Sequence, residues 1–138
     1  MEDQEKENVE AIRGVYERWA EGDFRAVVDL FDPLIVFVMR PEFPDAGTYL
    51  GPERVAEYMR GFLEPWTRLT IEAEELNEAG DSVVAAVCQS GVGTGSGAAT
   101  EFRYFQVWSF RGPTVIRFEN FRERAEAVDA TGRQRGDD

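Results

Sequence analysis

Residues 102–122 read FRYFQVWSFRGPTVIRFENFR, and their pattern indicates how the sheet of this chain is built. Gly112-Pro113 separates two runs, Phe102–Arg111 and Thr114–Arg122, that are rich in aromatic and β-branched residues. Runs of this composition on both sides of a short turn predict a β-hairpin. We therefore expect the last two strands of the chain to pair with each other.

The register of this hairpin predicts which side chains share a face of the sheet. If the turn has two residues, Arg111 pairs with Thr114, and counting on from that pair places Asn120 opposite Phe105. Because side chains alternate between the two faces of a strand, the inward face of the last strand is predicted to hold Ile116, Phe118 and Asn120. The outward face is predicted to carry Arg117, Glu119 and Phe121 beside Tyr104, Gln106 and Trp108.

Three further strands are predicted upstream of the hairpin. Apolar and polar residues alternate from Leu69 to Glu74, which is typical of a half-buried strand. Gly80-Asp81 supplies a turn before the next strand, which begins at Val83. Residues 34–39, LIVFVM, form a short run of apolar residues with many β-branched members, so they are predicted to be a buried strand.

Three helices are predicted before this meander, because apolar residues recur there every three or four positions. The first carries the apolar stripe Val9, Ile12, Tyr16 and Trp19. The second is expected to start at the capping residue Asp23 and to end at Pro33, with the stripe Phe24, Val27, Val28 and Phe31. The third starts at Gly51-Pro52-Glu53, since proline suits the first helical position, and its apolar side carries Val55, Tyr58, Met59, Phe62 and Trp66.

This order of elements predicts an α+β fold, with helices gathered on one face of a mostly antiparallel sheet. A strongly curved, cone-shaped sheet wrapped around the N-terminal helices would leave a cavity that is open at one end. The length of 138 residues suits a single domain. We expect its core to span residues 8–130 and a polar C-terminal tail to span residues 131–138.

The composition excludes several functional classes. With 15 Lys and Arg against 27 Asp and Glu, the formal net charge is −12, which disfavours binding to nucleic acid and to anionic membranes. The absence of histidine removes Ser-His-Asp triads and His-ligated metals. The acidic residues show no spacing typical of a calcium or magnesium site, so we expect no metal and no other cofactor.

Cysteine content and the N-terminus indicate a cytoplasmic protein. Cys88 is the only cysteine, so no intrachain disulfide can form, and its place in an apolar strand predicts a buried structural thiol. The first residues, MEDQEKE, lack the basic and apolar regions of a signal peptide. No apolar run approaches the ~20 residues of a membrane span.

Several stretches together resemble a SnoaL-like domain of the nuclear transport factor two-like superfamily. They are YERWAEGDF at 16–24, LFDP at 30–33, GTYLG at 47–51, VWSF at 107–110 and VIRFENFRERAEA at 115–127. The resemblance runs from about Asn8 to Ala130 and implies the α+β roll described above. It also implies a small-molecule domain, with polyketide cyclases, ketosteroid isomerases and limonene epoxide hydrolases as relatives, and leaves open whether this chain is an enzyme.

The resemblance implies that Asn120 and Arg103 occupy catalytic positions. The cyclases and epoxide hydrolases carry an Asp just before the aromatic residue that corresponds to Phe121, and this chain has Asn120 there. An amide can orient an oxygen but cannot exchange protons at neutral pH. The epoxide hydrolases also have an Arg followed two residues later by an Asp, at positions that resemble Arg103 and Phe105, so only the Arg is retained.

The ketosteroid isomerase resemblance adds Tyr16 as a third candidate. The general-base Asp of those relatives would fall near Met39 and their oxyanion-binding Tyr near Val15, where neither group is present, although Tyr16 is adjacent. Two of the candidates also have purely structural interpretations. Asn120 could be a buried amide that satisfies backbone groups, or a residue at the strand end that bonds to water. Arg103 could be a surface cation paired with Glu101 or Glu119, or stacked on Tyr104.

A ligand in the cone is expected to be a small apolar or polycyclic molecule, because the predicted interior is mostly aromatic. The predicted lining consists of Trp19, Phe37, Met39, Tyr58, Met59, Phe62, Trp66, Phe105 and Phe118. The alternative is a non-catalytic module whose cone is plugged by its aromatics. A homodimer through the outer sheet face is also predicted, with Tyr104, Gln106, Trp108 and Phe121 in the interface, since interfaces favour aromatic residues.

Overall fold

The computed structural model describes residues 2–23, 26–41, 43, 46–64, 66–93, 97 and 99–136. Its helices are α1 (Glu2–Ala20), α2 (Pro52–Leu63) and α3 (Arg124–Gly136), and a short 3-10 helix covers Ala26–Leu30. Its strands are β1 (Phe31–Met39), β2 (Gly47–Leu50), β3 (Trp66–Ala79), β4 (Ser82–Gly93), β5 (Ala99–Arg111) and β6 (Thr114–Phe121). None of the helices in these ranges is both long and apolar enough to cross a membrane.

The strands form one open sheet in the order β2-β1-β6-β5-β4-β3. The β1–β6 pair is parallel and every other pair is antiparallel. α1 packs against β3 and β4, while α2 packs against β1 and β2. The α+β, cone-like fold predicted from the sequence is therefore confirmed, and both helices lie on the side that we call the inner face.

The main core lies between α1 and the inner face. Ile12, Tyr16 and Trp19 follow one another along the buried side of α1, as their spacing predicts. Trp19 lies with its ring centroid 5.9 Å from that of Trp108 on β5, and Trp108 is fully buried. Burial of such a side chain contributes about 1.5–3 kcal/mol to stability, so this contact holds the helix in the cone.

The predicted second helix is wrong in extent and type. Only the short 3-10 helix forms there, Phe31 begins β1, and Pro33 lies inside that strand. The register of β1 against β6 shifts between Phe31 and Val36, and a strand tolerates proline at such an irregularity because no ladder hydrogen bond is required of it. Phe24 lies outside the described residues.

The hairpin forms as predicted near its turn and then departs from the expected register. Arg111 pairs with Thr114 and Phe110 with Val115, but the next pair is Ser109 with Arg117, so Ile116 is left over as a β-bulge. Asn120 therefore pairs with Gln106, and the prediction that it lies opposite Phe105 is wrong.

The bulge also changes which side chains share a face, since one extra residue inverts the alternation of a strand. Tyr104, Gln106 and Trp108 are buried on the inner face with Phe118 and Asn120. Their predicted place in an outer dimer interface is therefore wrong, and of that set only Phe121 lies on the outer face. Homodimerisation itself stays a prediction, which the mass in solution relative to the 15.6 kDa chain would test.

A second, smaller cluster covers part of the outer face. Ala127 and Ala130 of α3 pack there against Val84, Val107 and Phe121. α3 continues to Gly136, so the stretch predicted as a polar tail from residue 131 is helical as far as residue 136. Cys88, which was expected to be buried, is only partly buried on this face, with its Sγ atom 4.0 Å from Ser90 Oγ.

Candidate functional site

A partly open cavity of about 260 Å³ occupies the inner face between the sheet, α1 and α2. Eight of the side chains predicted to surround a ligand line it, namely Trp19, Phe37, Met39, Tyr58, Met59, Phe62, Trp66 and Phe118. Asn120 also lines it, together with residues that were not predicted to surround a ligand, namely Phe43, Gly61, Leu63, Ile71, Gln89, Phe102, Tyr104 and Gln106. The cone is thus not filled by its aromatic side chains.

Arg103 and Phe105 do not line this cavity, contrary to the sequence prediction. Both lie on the outer face, where Arg103 Nε donates to Glu74 Oε1 at 3.0 Å and Nη1 donates to Glu101 Oε1 at 2.8 Å. The hydrogen bonds that Arg103 donates to Glu74 raise the pKa of Arg103 above its ordinary value. The Arg103 side chain is 59% exposed, so it is a surface cation, one of the two alternatives that the sequence left open.

Asn120 is buried in the cavity wall with half of its amide unpaired. Its side-chain Nδ2 donates to Met39 Sδ at 3.2 Å. Its Oδ1 is shielded from solvent, and among the described residues no donor lies within hydrogen-bond distance of it. Asn120 is only 7% exposed, so this carbonyl oxygen has lost its water without gaining a protein partner.

Tyr16 lies behind the cavity wall rather than in it. Trp108 Nε1 donates to the Tyr16 hydroxyl oxygen at 3.0 Å, and the Tyr16 hydroxyl donates to Gln106 Oε1. Burial raises the pKa of Tyr16 well above its ordinary value, so the hydroxyl stays protonated at neutral pH. The structure thus gives Tyr16 a partner in the cavity wall, but not the direct contact with a ligand that its sequence position implied.

Gln89, Tyr104 and Gln106 complete the polar part of the wall. Tyr104 donates its hydroxyl hydrogen to Gln89 Oε1 at 2.8 Å, and burial raises the pKa of Tyr104. The alternation of Tyr104 and Gln106 in β5 indicated a shared face, but only the bulge at Ile116 determines that this face is the inner one.

The cavity is electrostatically neutral. Its lining residues within the described chain carry no charged side chain. No group of three or more Cys, Asp and Glu side chains among the described residues converges as a metal site requires. The amides of Gln89, Gln106 and Asn120 and the hydroxyl of Tyr104 can orient the oxygens and nitrogens of a ligand, but none of these groups exchanges protons readily at neutral pH.

Trp66 at the edge of the cavity depends on a glycine. A Cβ atom built on Gly91 would lie 2.5 Å from Trp66 Cε3 and 2.9 Å from the backbone oxygen of Arg68. Because real Cβ atoms do not approach so closely, only glycine at this position lets the indole pack against β4 as it does. Gly91 therefore determines the position of Trp66 in the cavity wall.

Comparison with known proteins places the chain among domains of the same architecture. A family model described as a SnoaL-like domain matches residues 12–118. No curated protein matches the sequence significantly.

Solved structures share the fold at low sequence identity. An NTF2-like protein from Burkholderia thailandensis E264 is 25% identical, with a TM-score of 0.73, over 88% of this chain and 96% of the other. An NTF2-like protein of unknown function from Burkholderia pseudomallei K96243 is 19% identical, with a TM-score of 0.75, over 88% and 95%. TerC, crystallised with polyporic acid, is also 19% identical, with a TM-score of 0.72, over 91% and 98%. At such identities the likeness concerns the fold.

Proposed function

The chain belongs to the SnoaL-like domain family, and from its cavity we propose that it binds an uncharged, mainly aromatic small molecule on the inner face of the sheet. The walls are built from aromatic rings and methionines, which suit a flat apolar ligand. The volume of about 260 Å³ leaves room for a ligand of two or three fused or linked rings. A plugged, purely structural cone is not supported by this open volume.

The observation that carries the proposal is the unpaired Oδ1 of Asn120. A buried acceptor without a donor costs about 1–3 kcal/mol, so such groups are rare unless something else satisfies them. Which end of an amide is oxygen is an assignment. The hydrogen bond to Met39 Sδ assigns the nitrogen to that side. The unpaired oxygen lies in the cavity wall but is shielded in this structure, so it would accept from a ligand's hydroxyl or N–H group once the side chain shifts toward the cavity.

The ligand is expected to be neutral because the cavity offers nothing to pair with an ion. Moving an unpaired ion out of water costs far more than the hydrogen bonds of a few amides return. The net charge of −12 further repels anions. We infer binding and orientation of the ligand rather than proton transfer, since the acid that relatives use is replaced by Asn120.

Fluorescence titration with N-phenyl-1-naphthylamine tests the proposal, because this neutral probe has two aromatic groups and one N–H donor. Saturable binding with one site per chain is expected. Asn120→Leu should weaken it about five-fold, the value of one hydrogen bond of about 1 kcal/mol. The same substitution at exposed Asn77 on β3 is the matched control and should leave the Kd within two-fold.

The charge requirement is tested with 8-anilinonaphthalene-1-sulfonate, which is the same probe with a sulfonate added. Its affinity is expected to be at least ten-fold lower, because the sulfonate would have to lose water in a cavity without cations. The proposal would be overturned by absence of saturable binding of the neutral probe, or by equal affinity of the Asn120→Leu variant and the natural protein.

A further inference from the structure

The orientation of the Gln106 amide is determined from behind the cavity. An indole N–H can only donate, so the hydrogen bond from Trp108 Nε1 occupies the Tyr16 oxygen as acceptor. The single hydrogen of the Tyr16 hydroxyl must then go to another acceptor, and that acceptor is Gln106 Oε1. The direction of the whole chain of hydrogen bonds thus follows from the chemistry of Trp108.

This direction has a consequence for the cavity. With Oε1 of Gln106 engaged by Tyr16, the other end of the amide is its NH2 group. Gln106 is only 3% exposed, and it lines the cavity. A buried amide N–H needs an acceptor, and a ligand in the cavity can supply one.

Gln106 and Asn120 are also direct partners across β5 and β6. Paired residues on one face have Cβ atoms about 4.5–5.5 Å apart, which is close enough for one ligand to meet both. The Asn120 oxygen has no donor among the described residues, so the two amides do not satisfy each other. The wall thus holds two amides side by side.

We propose that Tyr16 is a positioning residue, which together with Trp108 holds Gln106 as a hydrogen-bond donor and so selects ligands that carry a carbonyl-type acceptor at this point. This inference rests on the proposed ligand-binding function and adds the polarity of the group that the ligand presents. Tyr16 itself does not touch the ligand. Without its hydroxyl, the Gln106 amide is free to turn over and the selection is lost.

The matched pair 9-fluorenone and fluorene tests this proposal, because the two have the same rings and only fluorenone carries an acceptor. The natural protein is expected to bind fluorenone about five-fold more tightly than fluorene, as one net hydrogen bond predicts. The infrared carbonyl band of bound ¹³C-labelled fluorenone should lie below its position in cyclohexane. In Tyr16→Phe the affinity ratio should fall toward one and the carbonyl band should move back up.

A general loss of packing would weaken both ligands equally, so the ratio and the band separate positioning from structural damage. Asn77→Leu is the control that should keep the ratio, because Asn77 is exposed on β3 and its replacement leaves Gln106 and Tyr16 in place. If Tyr16→Phe does not fold, Trp108→Phe serves instead, since it frees the Tyr16 oxygen to accept from a turned Gln106.

The possible outcomes distinguish the two proposals. Equal affinity of fluorenone and fluorene for the natural protein, or an unchanged ratio and band in Tyr16→Phe, would overturn the role of Tyr16 while leaving ligand binding intact. Failure of both fluorenes and of N-phenyl-1-naphthylamine to bind would overturn the proposed function itself.

Discussion

The two faces of the central sheet handle polar groups in opposite ways. On the outer face many of them are charged and paired with one another, as in Arg103 with Glu74, or Arg40 with Glu119 at 3.6 Å. On the inner face they are neutral amides, and Gln106 and Asn120 are almost completely buried. Successive residues of β5 and β6 point to opposite faces of the sheet and therefore lie in very different environments.

This difference separates polar groups that support the fold from those available to a ligand. A charged group on the outer face keeps part of its hydration and gains a partner at little cost, so its presence needs no further explanation. A buried amide with an unpaired oxygen lowers stability, and Asn120 is such a group. The unpaired amide of Asn120, which lowers stability, is therefore a better indicator of function than the ion pairs of the outer face.

Truncation of one buried phenylalanine on each face is expected to have the largest effect. Phe118 stacks on Phe37 at 4.4 Å in the cavity wall, whereas Phe121 lies under the Arg40 guanidinium at 5.0 Å on the outer face. Each change to alanine should lower the free energy of unfolding by about 3–5 kcal/mol, measured by urea denaturation. Only Phe118→Ala should change the Kd for N-phenyl-1-naphthylamine, by five-fold or more. Equal effects on binding would show that the faces are not independent.

A smaller effect is expected from adding one methyl group at Gly91. Because the new Cβ atom would collide with Trp66 and the Arg68 backbone, Gly91→Ala should cost about 1–3 kcal/mol and displace the indole. We expect a shifted tryptophan emission maximum and weaker probe binding. Gly14→Ala in α1 is the matched control, since nothing lies within 4 Å of its Cβ position. It should stabilise the helix by about 0.5–1 kcal/mol, and a loss of stability there would contradict the packing described.

Asn120→Leu is expected to change stability and binding in opposite directions. The substitution replaces an unpaired buried amide with an apolar side chain of similar size. Thermal or urea unfolding should therefore show a free energy of unfolding that is higher by about 1 kcal/mol. The same change at exposed Asn77 should stay within about 0.5 kcal/mol. If Asn120→Leu instead loses stability, the amide has a structural partner and its assignment to a ligand is wrong.

The sequence predicts which residues lie on the inner wall wherever periodicity and side-chain type agree. The stripe of Ile12, Tyr16 and Trp19 on α1 follows from helical spacing alone, because any such stripe must be buried. The inward positions of Phe118 and Asn120 follow from alternation along β6 and are as predicted. These features depend only on local geometry.

The errors come from features that local geometry does not determine. Isoleucine is a common strand residue, so nothing in its type shows that Ile116 is the extra residue of a bulge, yet this one residue moves Tyr104, Gln106 and Trp108 to the inner face. The sequence does not predict that α3 covers the outer face, because the described side chains that α3 buries, Ala127, Ala130 and Thr131, are small and give a weak apolar pattern.

Arg103 gives the most direct test of whether the outer face contributes to binding at all. Its resemblance to a catalytic arginine of the epoxide hydrolases implied a position in the cavity, but its guanidinium is held by Glu74 and Glu101 in the solvent. Exposed ion pairs of this kind are screened by salt and contribute little. Arg103→Gln should therefore leave the Kd for N-phenyl-1-naphthylamine within two-fold and the urea midpoint nearly unchanged. A ten-fold loss of affinity would mean that a charge on the outer face acts through the sheet on the amides within, and the separation of the two faces would no longer hold.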